Sequence, residues 1–447
     1  MRICCVTISR STRSVAIWGL GREGLAALAW MRERYPSCAV TILNDTPLPD
    51  APDNVPALIG EEAAQALRDG RFEVVIKSPG VSLYRPEIAA ARAKGVGFTS
   101  GVNLWFRDNP AASTIAVTGT KGKSTTVRLL HHMLTKAGLD VALIGNVGVA
   151  ALGQKPGRDL TVLELSSYQI ADLYAAPNIA LVTNLYVDHT PWHGDVEQYH
   201  RDKLRLIANP MTIAVLNANS ERLVEKIGER TNSLWYGRAD AYHVRDGQLM
   251  RGEQIIDTAT FPLRGAHNLE NLAAACTACD LIGVTSVRQR VDLSGFAQLR
   301  HRLEEFRGRN GRLCVNDSIS TVPEATLVAL GAYGDQKLAL FIGGTDRGQD
   351  HASLIDHLSR ANNVACVVLL PDTGERIAQE MSAHSLTFPI HRASSLDEGV
   401  ELAFATTSQD VIFLLSPAAP SFGHFRDFEE RGDQFMSFCR AIACPQS

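Results

Sequence analysis

Residues 114–138, TIAVTGTKGKSTTVRLLHHMLTKAG, decide the fold. The run Ile115 to Thr118 is short and apolar, as a strand buried on both faces would be, and the glycine-bearing turn after it opens directly into a helical segment. Strand, glycine loop and helix in this order make a phosphate-binding loop. Glycines let backbone amides curl toward a polyphosphate, and the helix N-terminus adds partial positive charge. Lys123 then reaches the terminal phosphates and Ser124 can hold magnesium. The spacing departs from GxxxxGKS/T because Val117 stands where the first glycine is expected, which shortens the motif to TGTKGKS; the plainer reading is a glycine-rich strand-to-helix turn. Gly119, Thr120, Lys121, Gly122, Lys123, Ser124 and Thr125 are the predicted phosphate contacts. The loop alone does not separate an ATPase, a kinase and a ligase.

Outward from this loop the chain repeats one theme. Upstream, VAIWGL, an Ala/Leu helix, AVTILND, EVVIKSPG and a helix from Arg85 alternate as in a small parallel α/β unit. The polar break Arg107-Asp-Asn-Pro110 ends it, which places a first domain at 1–108. TIAVTGTKGKSTT, LTVLELSS, IALVTNL and TIAVLNA are four strands of a central domain at 109–298. Strands at Leu313–Asp317, Ala339–Gly343, Ala365–Leu369 and Val411–Ser416 predict a third α/β domain at 299–447. The fold class is thus α/β in three domains: Rossmann-like, phosphate-loop ATPase with a mostly parallel sheet, and again Rossmann-like.

Bulk properties exclude several functions. A length of 447 residues exceeds one core, and 45% hydrophobic with 21% charged residues is ordinary for globular proteins. Lys plus Arg at 44 against Asp plus Glu at 48 gives −4, with no basic footprint for nucleic acid or an anionic membrane. The nine cysteines show no framework spacing. Cys276 and Cys279 sit in the helical-looking NLAAACTACD, where one CxxC without a second ligand pair argues against zinc. MRICCVTISRSTRS lacks an apolar core of signal-peptide length, and the longest apolar runs are strand-sized, so a cytoplasmic location is expected.

Gly19-Leu-Gly21-Arg-Glu-Gly24 follows a strand and matches GxGxxG, with Asp45 about twenty residues on. Alone it suggests an NAD-dependent dehydrogenase, but a second phosphate loop in the same chain leaves a nicotinamide little to do. Two readings remain: this unit holds the diphosphate of another ligand, such as a nucleotide sugar, or the turn merely packs a helix on a strand. Farther on, Glu164-Leu-Ser166 and Asp188-His189 end strands at the carboxyl edge where open α/β sheets bind ligands. Glu164 and His189 are candidates for a metal near the phosphates, although magnesium prefers oxygen. Lys203, in HRDKLRL, would by default be a solvated helical lysine.

Taken together, GLGREG, KSPGVS, TGTKGKST, GNVG, ELSSYQ, DHTPWHG with DKLRL, GAHNLEN, HRLE, NDS, PEAT, IGGTDRG and LSPAAPSFGHFRDFEERG resemble the Mur ligases of peptidoglycan synthesis, most closely the glutamate-adding branch. The resemblance covers nearly the whole chain. It implies an ATP-dependent acid–amino-acid ligase acting on UDP-N-acetylmuramoyl-L-alanine and glutamate through an acyl phosphate. The N-terminal domain would hold the UDP group and the C-terminal domain the incoming amino acid. By resemblance, Arg22, Asp45, Thr46, Ser78 and Gly80 contact the uridine nucleotide. Asn146, Ser166 and His189 line the inner substrate and metal region, and Asn268, Asn271, Arg302 and Asp317 contact ATP. Ser124, Glu164, His189 and Lys203 serve magnesium; Lys203 matches the lysine that the family carbamylates, which would turn a cation into an anionic oxygen ligand.

The amino-acid end departs from the usual pattern. After Asn316-Asp317-Ser318 the expected lysine is Ile319, and a second expected lysine is Arg347. A planar guanidinium in place of point charges reshapes a pocket for two carboxylates. NDSIST with GGTDRGQD and SPAAPSFG resembles the sister group that adds L-glutamate and leaves inversion to a separate epimerase, with D-glutamate as the alternative. Thr321, Arg347, Ser421 and Phe428 are the predicted amino-acid contacts. A folylpolyglutamate synthase-like ligase and a non-enzymatic nucleotide switch are the remaining alternatives, and a monomer is expected.

Overall fold

The computed structural model describes residues 6, 8–48, 52, 54–228 and 230–441. Residues 1–5 and 7, on which much of the reading of the chain's start rests, lie outside the described residues. The chain divides into two compact units, residues 1–261 with 267–294 and residues 262–266 with 295–447.

The first unit carries two parallel sheets. One holds Ser14–Trp18, Ala39–Asn44, Ala57–Ile59, Val74–Lys77 and Gly97–Thr99, and its strands, counted along the chain, lie in the order 3-2-1-4-5. Val15, Ala16, Ile17 and Trp18 are all buried, as expected of a central strand covered on both faces. The helix Arg22–Arg34 packs close against this strand's end: a Cβ on Gly24 would sit 2.0 Å from the Gly19 carbonyl oxygen, so only glycine permits the approach.

The second parallel sheet holds Thr114–Thr118, Val141–Gly145, Leu160–Glu164, Ile179–Val182, Ile213–Asn217 and Ser233–Tyr236, in the order 6-5-4-1-3-2. Two strands beyond the four expected are present, Val141–Gly145 and Ser233–Tyr236. Both are only partly buried, with three of five and three of four residues short of full burial, as befits the two outer strands of the sheet. Thr114–Thr118 lies between Leu160–Glu164 and Ile179–Val182, with Val117 opposite Glu164 and Thr118 opposite Val182. That register delivers the phosphate loop, Glu164 and the Thr183-Asn184 pair to one edge. A three-stranded antiparallel sheet, Tyr242–Arg245, Gln248–Arg251 and Gln254–Ile255, follows, turning first at Asp246-Gly247. The Ala-rich stretch is a helix, Ala266–Leu281, with Cys276 and Cys279 buried as free thiols. Among the described residues no helix is long and apolar enough to cross a membrane.

The second unit is built on a six-stranded sheet, Glu304–Arg307, Leu313–Asn316, Leu338–Gly344, Val364–Asp372, Ile390–Arg392 and Ile412–Leu415, in the order 1-2-6-3-4-5. Only its first pair is antiparallel. One apolar cluster around Leu340, Ile342 and Leu414 and another around Phe341, Phe413 and Phe435 cover its two faces.

Candidate active site

The helix Lys123–Lys136 begins at Gly122, whose φ of 83° is left-handed and costs a residue with a side chain strain. A Cβ there would also lie 2.4 Å from Asn271 Oδ1. Asn271 accepts from Thr126 Oγ1 at 3.3 Å and donates to Asn268 Oδ1 at 3.2 Å, so both predicted asparagines flank the loop. Thr183 Oγ1 donates to the Lys121 carbonyl at 2.6 Å, and Lys121 N–H donates to Asn184 Oδ1 at 2.8 Å, holding the loop from its other side. Ser124 is half-buried and Thr125 buried in the first turn of the helix.

Two lysine amino groups meet on one oxygen. Lys123 Nζ donates to the Gly119 and Thr120 carbonyls, each at 3.0 Å, and Lys203 Nζ donates to the same Gly119 oxygen at 3.0 Å. Lys203 lies in the helix Val196–Leu204 and is only 1% exposed, which overturns the default of a solvated lysine. Burial first, then the charge of Lys123, holds its pKa well below the ordinary lysine value, against the pull of Asp188. Such an amine is far more often neutral, and so nucleophilic, than a surface lysine.

Glu164, the last residue of its strand, is fully buried. Its Oε1 accepts from Asn146 Nδ2 at 2.7 Å, while Oε2 has no hydrogen-bond partner. Ser166 caps the short helix Ser167–Ile170 reciprocally with Gln169, and Gln169 Nε2 donates to Glu23 Oε1 at 2.9 Å. His189 has φ 52° and pairs through Nδ1 with Tyr168 OH at 2.9 Å. Burial pushes its pKa down against Asp188, and Lys203, Lys123 and Lys121 push the same way, which keeps the ring neutral near pH 7.

The predicted uridine contacts gather at the carboxyl edge of the first sheet. Ser78 Oγ donates to the Gly19 carbonyl at 2.6 Å, Asn44 Nδ2 donates to the Thr46 carbonyl at 2.7 Å, and Arg22 stands beside Gly148. Asp45 pairs with Arg85 at 2.7 Å, and the Arg85 guanidinium lies over the Trp18 ring at 4.6 Å. The Gly80 carbonyl accepts from Trp192 Nε1 at 3.1 Å. Arg85 and Trp192 escaped the sequence reading, although an aromatic at a strand's carboxyl end and a Trp inside DHTPWHG were visible.

In the second unit Asp317 is buried and accepts from Ser320 Oγ at 2.5 Å, Ser416 Oγ at 2.8 Å and Leu303 N–H at 3.1 Å. Burial outweighs these bonds and the nearby Arg302, raising its carboxyl from 3.8 to about 6. The folded chain therefore holds this proton to higher pH than the unfolded chain, and stability falls as pH rises from about 4 to about 6, by about 3 kcal/mol. Asp317→Asn is expected to raise the thermal midpoint over the parent at pH 7 but not at pH 4. A difference independent of pH in melts at both values would refute that linkage.

Arg347 lies over the Phe422 ring at 5.4 Å, the Thr321 carbonyl accepts from Gln349, Ser421 is buried, and Phe428 meets His301 edge-on at 6.0 Å. Sequence reasoning missed Arg431, which is fully buried. It donates to Ser318 Oγ and O at 3.0 and 2.8 Å and to the Ala419 and Pro420 carbonyls at 3.1 and 3.2 Å, and burial pushes its pKa down to about 9. It thereby ties NDSIST to SPAAPSFG. Phe428, Arg431, Phe435 and Cys439 repeat at helical spacing, the signal by which Arg431 could have been placed on the inward face.

A phosphate loop with two converging lysines and a buried carboxylate at the same sheet edge defines an ATP-using transferase or ligase. Residues 117–279 match the Mur ligase middle domain, and residues 13–100 match the Mur ligase MurD-like, N-terminal domain. The UDP-N-acetylmuramoyl-L-alanine–L-glutamate ligase of Xanthomonas euvesicatoria is 39% identical over 442 residues, 95% of this chain and 94% of that one. The ligase of the same name from Xylella fastidiosa strain Temecula1 is 39% identical across 94% of each chain. The solved UDP-N-acetylmuramate-alanine ligase MurC of Thermotoga maritima superposes with a TM-score of 0.58 at 19% identity, over 95% of this chain and 98% of that one. MurF of T. maritima in complex with ADP gives 0.56 at 16% identity, over 97% and 96%; these two likenesses concern the fold. The chain belongs to the Mur ligase family and is an ATP-dependent peptide ligase.

Proposed function

We propose that this ligase joins L-glutamate to UDP-N-acetylmuramoyl-L-alanine through an acyl phosphate, in peptidoglycan precursor synthesis. The observation that carries the reading is the convergence of Lys123 and Lys203 on the Gly119 carbonyl, at the same sheet edge as Glu164, which lies opposite Val117 and leaves one buried oxygen without a partner. Support for the substrates and the L configuration comes from relatives named for that reaction along nearly the full length of both chains. Arg347 in place of a lysine supports it further.

In the proposed reaction a substrate carboxylate oxygen attacks the γ-phosphorus of ATP, and the bond to the leaving ADP oxygen breaks. The glutamate amine then attacks the acyl carbon, loses a proton and expels phosphate. Lys123 offsets the charge that gathers on the transferring group. Thr120, Lys121, Gly122, Ser124 and Thr125 hold the phosphates, and Asn268, Asn271, Arg302 and Asp317 the rest of the nucleotide. Ser78 and Gly80, with Arg22, Asp45 and Thr46, hold the uridine nucleotide, while Asn146 and Ser166 line the acyl end. Thr321, Arg347, Ser421 and Phe428 hold glutamate, with Arg347 as its main carboxylate clamp.

A magnesium ion fits the chemistry of Glu164, whose Oε2 is a buried hard oxygen without a hydrogen-bond partner. Among the described residues no group of three His, Cys, Asp or Glu that could hold a metal ion occurs, so the other donors would be Ser124, phosphate and water. Glu164 and Ser124 would hold it, with His189 and a carbamylated Lys203 assisting; bound, it neutralises phosphate charge. The buried amine suits carbamylation: neutral Nζ attacks carbon dioxide, a nitrogen–carbon bond forms and one proton departs. A cytoplasmic monomer working alongside an epimerase that inverts the added residue completes the proposal.

The test is incubation of the purified protein with the muramoyl substrate, ATP, magnesium and each glutamate enantiomer, following phosphate release and product mass. L-Glutamate is expected to react at least about tenfold faster than D-glutamate. Faster use of D-glutamate would reverse the stereochemical assignment, and no phosphate with either would end the substrate reading.

A further inference from the structure

Asp202, one residue before Lys203, is 3% exposed and collects donors from two directions. Tyr84 OH lies 2.7 Å from both carboxylate oxygens, Gln198 Nε2 donates at 2.9 Å, and His193 Nδ1 stands at 2.7 Å. The other nitrogen of His193, Nε2, lies 3.0 Å from Ser167 Oγ. His193 and Ser167 are each 2% exposed. Hydroxyl, imidazole and carboxylate in this order match a nucleophilic triad. A sealed hydroxyl cannot reach an acyl donor, however, and Ser167 is closed off, so the constellation does other work.

Its work is evident from what it joins. Tyr84 belongs to the loop that carries Ser78 and Gly80, and Ser82 Oγ on the same loop donates to the Trp192 carbonyl at 2.6 Å. Ser167 directly follows Ser166 and opens the helix whose Tyr168 holds His189. Asp202 sits on the helix that places Lys203 Nζ on Gly119. Three segments that the proposed mechanism needs in register are thus fastened by one polar chain. A carboxylate oxygen only accepts, so Nδ1 carries the proton that faces Asp202, and in the neutral ring Nε2 then accepts from the Ser167 hydroxyl. The bond to the carboxylate is charge-assisted and is the stronger of the two.

We infer that His193 and Asp202 are positioning residues for phosphoryl transfer: the Tyr84–Asp202–His193–Ser167 chain holds Lys203 at the phosphate loop in register with the Ser166 end of the acyl site. The inference rests on the function proposed above, but its first readout does not depend on substrate. Acetic anhydride acylation of Lys203 in the free protein, followed by peptide mass spectrometry, reports whether its helix stays seated. In Asp202→Asn and His193→Gln the rate at Lys203 is expected to rise at least about tenfold, with Lys123 changing less than about twofold. His193→Asn keeps an N–H where Nδ1 stood and is expected to stay within about threefold of the parent.

In turnover assays Asp202→Asn and His193→Gln are expected to lose at least about thirtyfold in kcat, with KM for glutamate unchanged and partial recovery in His193→Asn. Parent-like Lys203 acylation in both Asp202→Asn and His193→Gln would overturn the inference, even if the parent proved to act on another acceptor. So would a kcat loss matched by a rise in glutamate KM and a fall in melting midpoint, the mark of general loosening. If Asp202→Asn fails to fold, the His193→Gln and His193→Asn pair decides the matter. A parent protein inert toward the muramoyl substrate would instead count against the substrate assignment.

Discussion

Lys123→Ala is expected to lower kcat for ATP-dependent product formation by at least about a thousandfold, while the Kd for the muramoyl nucleotide moves by less than about threefold. The size follows from geometry. The ammonium group leaves the first residue of the phosphate-loop helix and reaches the Gly119 and Thr120 carbonyls, where in the proposed reaction charge accumulates as the phosphoryl group moves. The selectivity follows from place. The predicted uridine contacts gather on the other parallel sheet of the same unit, around the Ser78–Gly19 bond and the Asp45–Arg85 pair, whereas Lys123 Nζ donates to the Gly119 and Thr120 carbonyls of its own loop. Calorimetric titration of the variant with the muramoyl nucleotide, beside a coupled ADP assay, reads both quantities. Parallel loss of nucleotide-sugar binding and turnover in a folded variant would mean that the two sites are not separate.

Lys203→Arg is the second large effect, because it distinguishes a needed cation from a needed reactive amine. Arginine keeps the positive charge but, with a guanidinium that does not deprotonate in proteins, cannot add carbon dioxide. The buried Lys203 amine, with its pKa well below the ordinary value, is in contrast suited to that reaction. Both Lys203→Arg and Lys203→Ala are therefore expected to lose at least about a hundredfold in kcat. Retention of more than about a third of parental kcat by Lys203→Arg would show that a simple cation suffices and would remove the carbamate from the proposal. Unchanged melting midpoints are the control that the buried site has accepted the larger side chain.

Much of the architecture was legible because its signals are local. TIAVT, LTVLE and IALV are continuous apolar runs that only strands buried on both faces require, and TGTKGKS can hardly be anything but a turn into a helix. The short polar strands Tyr242–Arg245, Gln248–Arg251 and Gln254–Ile255 went unread because their side chains alternate weakly. Yet the Asp246-Gly247 turn that joins the first two was the strongest hairpin cue in the segment. In the second unit NDSIST, GGTDRGQD and SPAAPSFG were legible as motifs at the ends of predicted strands, but the buried arginine that ties the first to the last was not. A charged residue on a helix is read as solvated until packing encloses it.

By itself, then, the sequence determined the kinds of element, the phosphate loop and the chemical character of each candidate group, since these depend on neighbours a few residues apart. Only the tertiary structure decided that Lys203, 84 residues from Gly119, would share its carbonyl with Lys123. It alone decided that Asn271 would close on Gly122, and that Asp202 would gather Tyr84 and His193. The first of those meetings depends on a strand order, 6-5-4-1-3-2, that brings distant segments to one edge, and the last joins that sheet's helices to a loop of the other parallel sheet. The shift of the Lys203 amine toward neutrality follows from its burial there, a property of the packed interior and not of the residues on either side of it in the chain.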